Sequence, residues 1–175
     1  MKNVYGYVGA VVVGLALAVG QTASVAAQAK TKTAPAADQA KAKAAPAAAG
    51  RVVKLTADDT MKYDVTTIPA KPGESLTIEL TSKGTMPKEV MSHNFVLLTK
   101  TVDVNAFVME AAMARATGYL PAKFKADTLA STAMAGPGET VKVTFSAPKV
   151  AGSYPYVCSF AGHYLTGMKG TLIVK

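Results

Sequence analysis

The chain holds a single cysteine, Cys158, and only two histidines, His93 and His163. Cys158, His163 and Met168 follow one another at five-residue steps in CSFAGHYLTGM near the C-terminus, whereas His93 lies far upstream in MSHNF. A fold that uses these groups together must bring a strand carrying His93 back beside the C-terminal loop. Local contacts alone cannot do that. One cysteine also forms no intrachain disulfide, so the framework has to come from a packed core.

The pattern from Arg51 onward is β. Segments 52–55, 61–65, 75–81, 93–99, 141–145, 154–158 and 171–174 each read as a short strand. Leu76, Ile78 and Leu80 alternate with Thr77 and Glu79, and 141–145 (VKVTF) alternates equally cleanly. Turn residues separate them at Lys71-Pro72-Gly73-Glu74, Gly136-Pro137-Gly138 and Ala151-Gly152. Short strands with regular turn signals predict an all-β, Greek-key β-sandwich, and a domain of 51–175 is long enough to bury its core. One stretch departs from this pattern. Residues 104–116 place Phe107, Val108, Ala111, Ala112 and Arg115 at helical spacing, with Asp103 as N-cap and Gly118 as terminator. They predict an insertion helix packed outside the sandwich.

Ahead of this domain, residues 1–29 read as an export segment, either a cleaved signal peptide or a retained N-terminal anchor. Lys2 precedes an apolar run from Val8 to Val19, and Ala27-Gln28-Ala29 fits a small-x-small cleavage site. Residues 30–50 are Ala-, Lys- and Pro-rich and read as an extended linker that cannot build a core. The expected location is periplasmic or extracytoplasmic, with a membrane tether if the anchor is retained. The full chain has a net charge of +8, but 51–175 carries 14 basic against 10 acidic residues, a balance of +4. With no arginine cluster and no aromatic-interleaved basic stripe, nucleic acid is excluded as a partner class.

An unpaired cysteine in an exported protein is reactive, cross-linked between chains or metal-bound. Taken singly, a buried Cys packs as a small hydrophobe, a His at a strand start is structural, and a Met near a terminal strand is core. Together, two imidazoles, one thiolate and a thioether make up the His₂Cys set with a weak axial Met that characterises a blue-copper electron-transfer site. Soft sulfur favours Cu(I), imidazole suits both oxidation states, and a site held on rigid elements reorganises little between them. His93, Cys158, His163 and Met168 are the candidate ligands of one copper ion. Two histidines cannot supply the several coppers that oxygen reduction needs, so the expectation is a carrier and not an enzyme.

The residues around these ligands resemble the azurin and auracyanin branch of the cupredoxins. Gly84-Thr-Met-Pro-Lys-Glu-Val-Met-Ser-His93-Asn-Phe-Val-Leu98 is similar to the azurin segment entering its first copper histidine. Tyr154-Pro-Tyr-Val-Cys158-Ser-Phe-Ala-Gly-His163 and Met168-Lys-Gly-Thr-Leu-Ile-Val-Lys175 are similar to the family's ligand loop and last strand. The resemblance covers 51–175. It implies a cupredoxin-like fold, with His93, Cys158 and His163 as equatorial ligands and Met168 as the axial one. It further implies that Asn94 braces the Cys loop and that the amide of Ser159 or Phe160 hydrogen-bonds the thiolate. Ser92 stands where azurins have a glycine whose carbonyl makes a long axial contact, so the Ser92 carbonyl is the candidate fifth contact. The ligand-loop proline of azurin is Ala161 here, the His-to-Met spacing is that of auracyanin, and the azurin disulfide and buried Trp are absent.

The same resemblance implies that the edge of His163 reaches the surface in an apolar patch, with Met86, Met91, Leu120, Phe160, Ala161 and Leu165 as candidates to surround it. Core packing is the competing reading for Met86 and Leu120. The implied function is a monomeric shuttle that carries single electrons by outer-sphere Cu(I)/Cu(II) transfer. Its expected partners are redox proteins such as c-type cytochromes or membrane electron-transfer complexes. A copper carrier or delivery protein using the same ligands is the alternative.

Overall fold

The computed structural model describes residues 50–175. The expected export segment and, Gly50 aside, the expected linker lie outside the described residues. Eight strands and one α-helix follow in order: β1 Arg51–Ala57, β2 Thr67–Ala70, β3 Ser75–Ser82, β4 Val96–Leu98, α1 Val104–Met113, β5 Thr128–Ser131, β6 Thr140–Ser146, β7 Gly152–Val157 and β8 Lys169–Val174. They form a three-stranded sheet, β1-β3-β6, and a five-stranded sheet, β2-β8-β7-β4-β5. β1 runs parallel to β3 and β2 parallel to β8, and the other neighbours are antiparallel. This is the all-β two-sheet architecture expected from the strand pattern, with one helix added.

The core lies between the sheets. β3 alternates between half-buried and buried at every residue and sends Leu76, Ile78 and Leu80 inward. The five-stranded sheet answers with Ile68, Leu97, Tyr154, Tyr156 and Leu172. In β7 the two-residue period of a strand puts Tyr154 and Tyr156 on the core face, and Cys158 continues that face one step past the strand end. Burial on both faces marks β4: Leu97 joins the main core, while Val96 and Leu98 pack under α1 with Phe107, Ala111 and Phe124. The inserted helix thus covers the outer face of the five-stranded sheet, which is why β4 reads as a continuous apolar run.

Several expected elements differ. Residues 61–65 are not a strand: Met61 adopts a left-handed φ of 57°, and only Tyr63 pairs, as a lone bridge to Ala57. β2 was missed because its sequence is Thr-Ile-Pro-Ala, and Pro69 is tolerated there only because β2 is an edge strand. β5 was missed because four residues between helical turns and a Gly-Pro turn carry too little periodicity. The first half of 93–99 is held by a single bridge, His93 to Ala135, before the β4 ladder begins. Asp103 does cap α1, its carboxylate accepting from the Ala106 amide at 3.1 Å. The helix ends at Met113, short of 116, with Ala114 as its C-cap. A 3₁₀ turn, Arg115–Thr117, follows and is closed by Gly118 in the left-handed region.

Candidate metal centre

Strand register brings the distant His93 to Cys158. β4 pairs with β7 so that Val96 faces Val157 and Leu97 faces Tyr156. Continuing that antiparallel register past both strand ends sets 93–95 against 158–160. Asn94 and Ser159 close the gap reciprocally: the Asn94 amide donates to Ser159 Oγ at 2.8 Å, and the Ser159 N–H donates to Asn94 Oδ1 at 2.9 Å. The backbone of His93 is pinned on its other side by paired hydrogen bonds with Ala135, at 3.0 and 2.8 Å. The buried Tyr63 hydroxyl donates to the Asn94 carbonyl. Sequence reasoning missed Tyr63 as a brace, because its segment read as an ordinary strand.

The loop from Cys158 to Met168 folds on itself. The Cys158 N–H donates to the Met168 carbonyl at 3.2 Å, and the Met168 N–H donates to the His163 carbonyl at 3.0 Å. The Thr166 hydroxyl also donates to the His163 carbonyl, at 2.7 Å. Gly162 and Gly167 take φ of 85° and 100°, a region that glycine enters without strain, so the chain can turn this tightly. The fold buries all four candidate ligands: Cys158 and Met168 in the main core, and His93 and His163 beside it.

One nitrogen of each histidine and the Cys158 sulfur lie within 4.8 Å of one another. His163 Nδ1 is 3.5 Å from the sulfur, and the two imidazole centroids are 5.1 Å apart. Neither ring nitrogen of the buried His93 has a hydrogen-bond partner. An unpartnered buried polar group costs about 1–3 kcal/mol, and two on one ring call for an occupant. Electrostatics agrees. Burial pushes the Cys158 thiol up to about 12, although the backbone N–H groups of Asn94 and Phe160 pull it the other way. Burial, then the charge of His93, holds His163 down at about 4. Burial also lowers His93, against the pull of Asp59 and Asp58. Two neutral imidazoles offer lone pairs, and the sulfur already faces two amides that favour its anion. A soft cation is what such a cage fits, because its charge reverses the penalty on the thiolate.

The neighbours take particular places. The Phe160 amide is directed at the sulfur, whereas the Ser159 amide is committed to Asn94. The Ser92 carbonyl faces the sulfur at 3.9 Å, and the Ser92 hydroxyl turns away to the Lys88 carbonyl. The expected apolar patch is rearranged. Leu165 is 79 % exposed, Ala161 is exposed and Phe160 is half-buried. Phe160, Tyr164 and Leu165 face Val108, Met109 and Ala112 of α1 across an apolar groove of about 380 Å³. Leu120 lines a separate hollow with Pro121 and Thr128 and packs against the core under α1. Met86 is exposed, not core, and Met91 is half-buried; neither lines the groove.

Residues 50–175 match the family described as copper binding proteins, plastocyanin/azurin family. The chain belongs to the plastocyanin/azurin family. Azurin-1 of Alcaligenes xylosoxydans xylosoxydans is 37 % identical over 123 residues, covering 69 % of this chain and 94 % of that protein. Auracyanin-B of Chloroflexus aurantiacus is 46 % identical over 85 residues, covering 48 % of this chain and only 36 % of the relative's length. The solved structure of auracyanin A, a "blue" copper protein from Chloroflexus aurantiacus, superposes with a TM-score of 0.62 at 30 % identity, over 71 % of this chain and 98 % of that one. An azurin of Methylomonas sp. strain J gives 0.62 at 31 % identity, over 71 % and 97 %. The family binds copper, the caged donor set fits one copper ion, and electron transfer is the family's general role.

Proposed function

We propose that this chain is an exported blue-copper protein that shuttles single electrons between larger redox proteins and catalyses no reaction of its own. The observation that carries this reading is the His93–Cys158–His163 cluster, with donor atoms within 4.8 Å and both His93 nitrogens unpartnered. When bound, copper supplies the Cu(I)/Cu(II) couple. The residues do the rest. His93, Cys158, His163 and Met168 would hold the ion, with two imidazole nitrogens, a thiolate and a thioether as donors. Cys158 gives up its thiol proton, and the Asn94 and Phe160 amides then hold the sulfur's charge. Asn94 and Ser159 lock the two ligand segments together, and the Ser92 carbonyl, 3.9 Å from the Cys158 sulfur, would be a further oxygen donor beside the ion. Because the ligands sit on strand ends and a self-bonded loop, the chain would hold its donors in place through a change of oxidation state, which favours fast transfer.

Partners would meet the protein beside His163, on the exposed loop of Ala161 and Leu165. A small apolar contact gives brief docking that suits a shuttle. Redox proteins such as c-type cytochromes, or membrane electron-transfer complexes, fit that role, with the chain acting as a monomer in an extracytoplasmic compartment. The deciding experiment adds Cu(II) to the purified full chain and then ascorbate, with visible absorption as the readout. The expected result is an intense blue band that bleaches on reduction and returns on oxidation. Tight Cu(I) uptake with no visible band would favour the copper-delivery reading instead.

A further inference from the structure

Tyr119 has a backbone conformation that a bulky side chain rarely adopts. Its φ is 62°, and it directly follows Gly118 at φ 67°. Two consecutive left-handed residues reverse the chain after α1, and a glycine would suit the second position better than a tyrosine does. The turn is nonetheless held firmly. The Tyr119 amide donates to the Ala114 carbonyl at 2.8 Å, and the Thr117 hydroxyl lies within reach of the Ala114 and Leu120 carbonyls. Strain of this kind persists only where the surroundings over-determine it, and it concentrates at functional places.

The Tyr119 ring is buried, yet it belongs neither to the core between the sheets nor to the core under α1. Its aromatic partner is Phe160, at a centroid distance of 4.8 Å. Phe160 in turn lies 4.7 Å from His163, which lies 5.1 Å from His93. Four rings therefore contact one another in series from the helical insertion to the donor cluster, tilted by 43°, 40° and 41° from one to the next. The loop's own hydrogen bonds hold the His163 backbone, whereas its ring is met by Phe160, by His93 and, 3.5 Å from Nδ1, by the Cys158 sulfur.

We infer that Tyr119 is a positioning residue: packed at a tilt against Phe160, it fixes the plane in which His163 presents its nitrogen to the metal. This rests on the reading of His163 as a ligand. The test compares Tyr119→Phe, Tyr119→Leu and Tyr119→Gly in the full chain. In metal-free protein, the His163 ring resonances should match wild type in Tyr119→Phe and should shift and broaden in Tyr119→Leu and Tyr119→Gly. After Cu(II) loading, those two variants should shift the charge-transfer band and lose copper to a chelator about tenfold faster, the scale of an outer-sphere ligand brace. Tyr119→Gly separates positioning from stability, because it relieves the backbone strain. Its melting temperature should lie above that of Tyr119→Leu, which loses the same buried ring without that relief, while the two variants share the changed site signatures. Wild-type ring signals in Tyr119→Leu or Tyr119→Gly would overturn the inference, and so would a shift in Tyr119→Phe, which keeps the ring. If wild-type protein takes up no copper, the electron-carrier reading fails, but the metal-free resonances still decide the role of Tyr119.

Discussion

The three-stranded sheet and the cluster at the end of the five-stranded sheet treat their polar groups in opposite ways. In the first, every alternate side chain of β3 goes inward as Leu76, Ile78 or Leu80, and the outward ones pair across to β6: Thr77 with Thr144, Glu79 with Lys142, Thr81 with Thr140. In the second, two imidazoles and a thiol are buried together, and His93 satisfies neither of its nitrogens. From Leu76 to Thr81 the sheet buries or pairs each side chain of β3. The cluster gives up local stability to keep donor atoms free. The molecule therefore separates the work of holding the fold from the work of holding a metal, and the two can be broken independently.

The sharpest way to break them apart is Cys158→Ala. It should abolish the blue band, yet it removes only a small buried group, so metal-free unfolding in denaturant should lose about 1 kcal/mol. Equal loss of stability and colour would mean that the thiol is structural. Ile78→Ala should do the reverse. It opens a cavity in the main core and should cost about 2–5 kcal/mol in the same measurement, while the folded fraction keeps the wild-type spectrum.

His93→Leu sharpens the contrast from the other side. By replacing a buried ring that has two unpartnered nitrogens, it should raise metal-free stability by about 1–3 kcal/mol. It should also erase the rise in melting temperature that copper gives to wild type. A less stable metal-free variant would show that His93 has hydrogen-bond partners in solution. The smallest effect belongs to the sheet surface. The Lys142 hydrogen bond and charge hold the Glu79 carboxyl below its usual 4.5. A depressed folded value stabilises the protein fully above the unfolded value and is lost as pH falls through the folded one. Glu79→Gln should therefore flatten the loss of stability below pH 4.5, measured by thermal melts. Being solvent-exposed, the pair should fade in high salt, and a salt-independent effect would contradict this account.

How far the sequence could be read followed the physics of each segment. β3 and β6 were legible because one face is buried and the other wet, which writes a two-residue period directly into the chain. The Asp103 cap was legible because its interaction is three residues long. Segment 61–65 misled because it alternates like a strand, yet it serves as a hydrogen-bonded strap from Tyr63 to the Asn94 carbonyl. β2 and β5 escaped because short edge strands draw their partners from remote residues. Of the candidate patch residues, Phe160 and Leu165 lie on the ligand loop itself and line the groove against α1. Met86, Met91 and Leu120 were grouped with them through the family resemblance, and none of the three lines that groove.

Taken by itself, the chain determined its β architecture and the identity of its soft donor groups. Both are local properties: a burial period along a strand, and an inventory of one Cys and two His with a Met at fixed spacing. Only the tertiary structure decided that His93 reaches Cys158, through the β4–β7 register and the Asn94–Ser159 pair. It alone decided that the Phe160 amide, not that of Ser159, faces the sulfur. It also placed Tyr119 behind Phe160 and His163. These relations join residues far apart in the chain, and they come from strand pairing and ring packing that no short window of sequence contains.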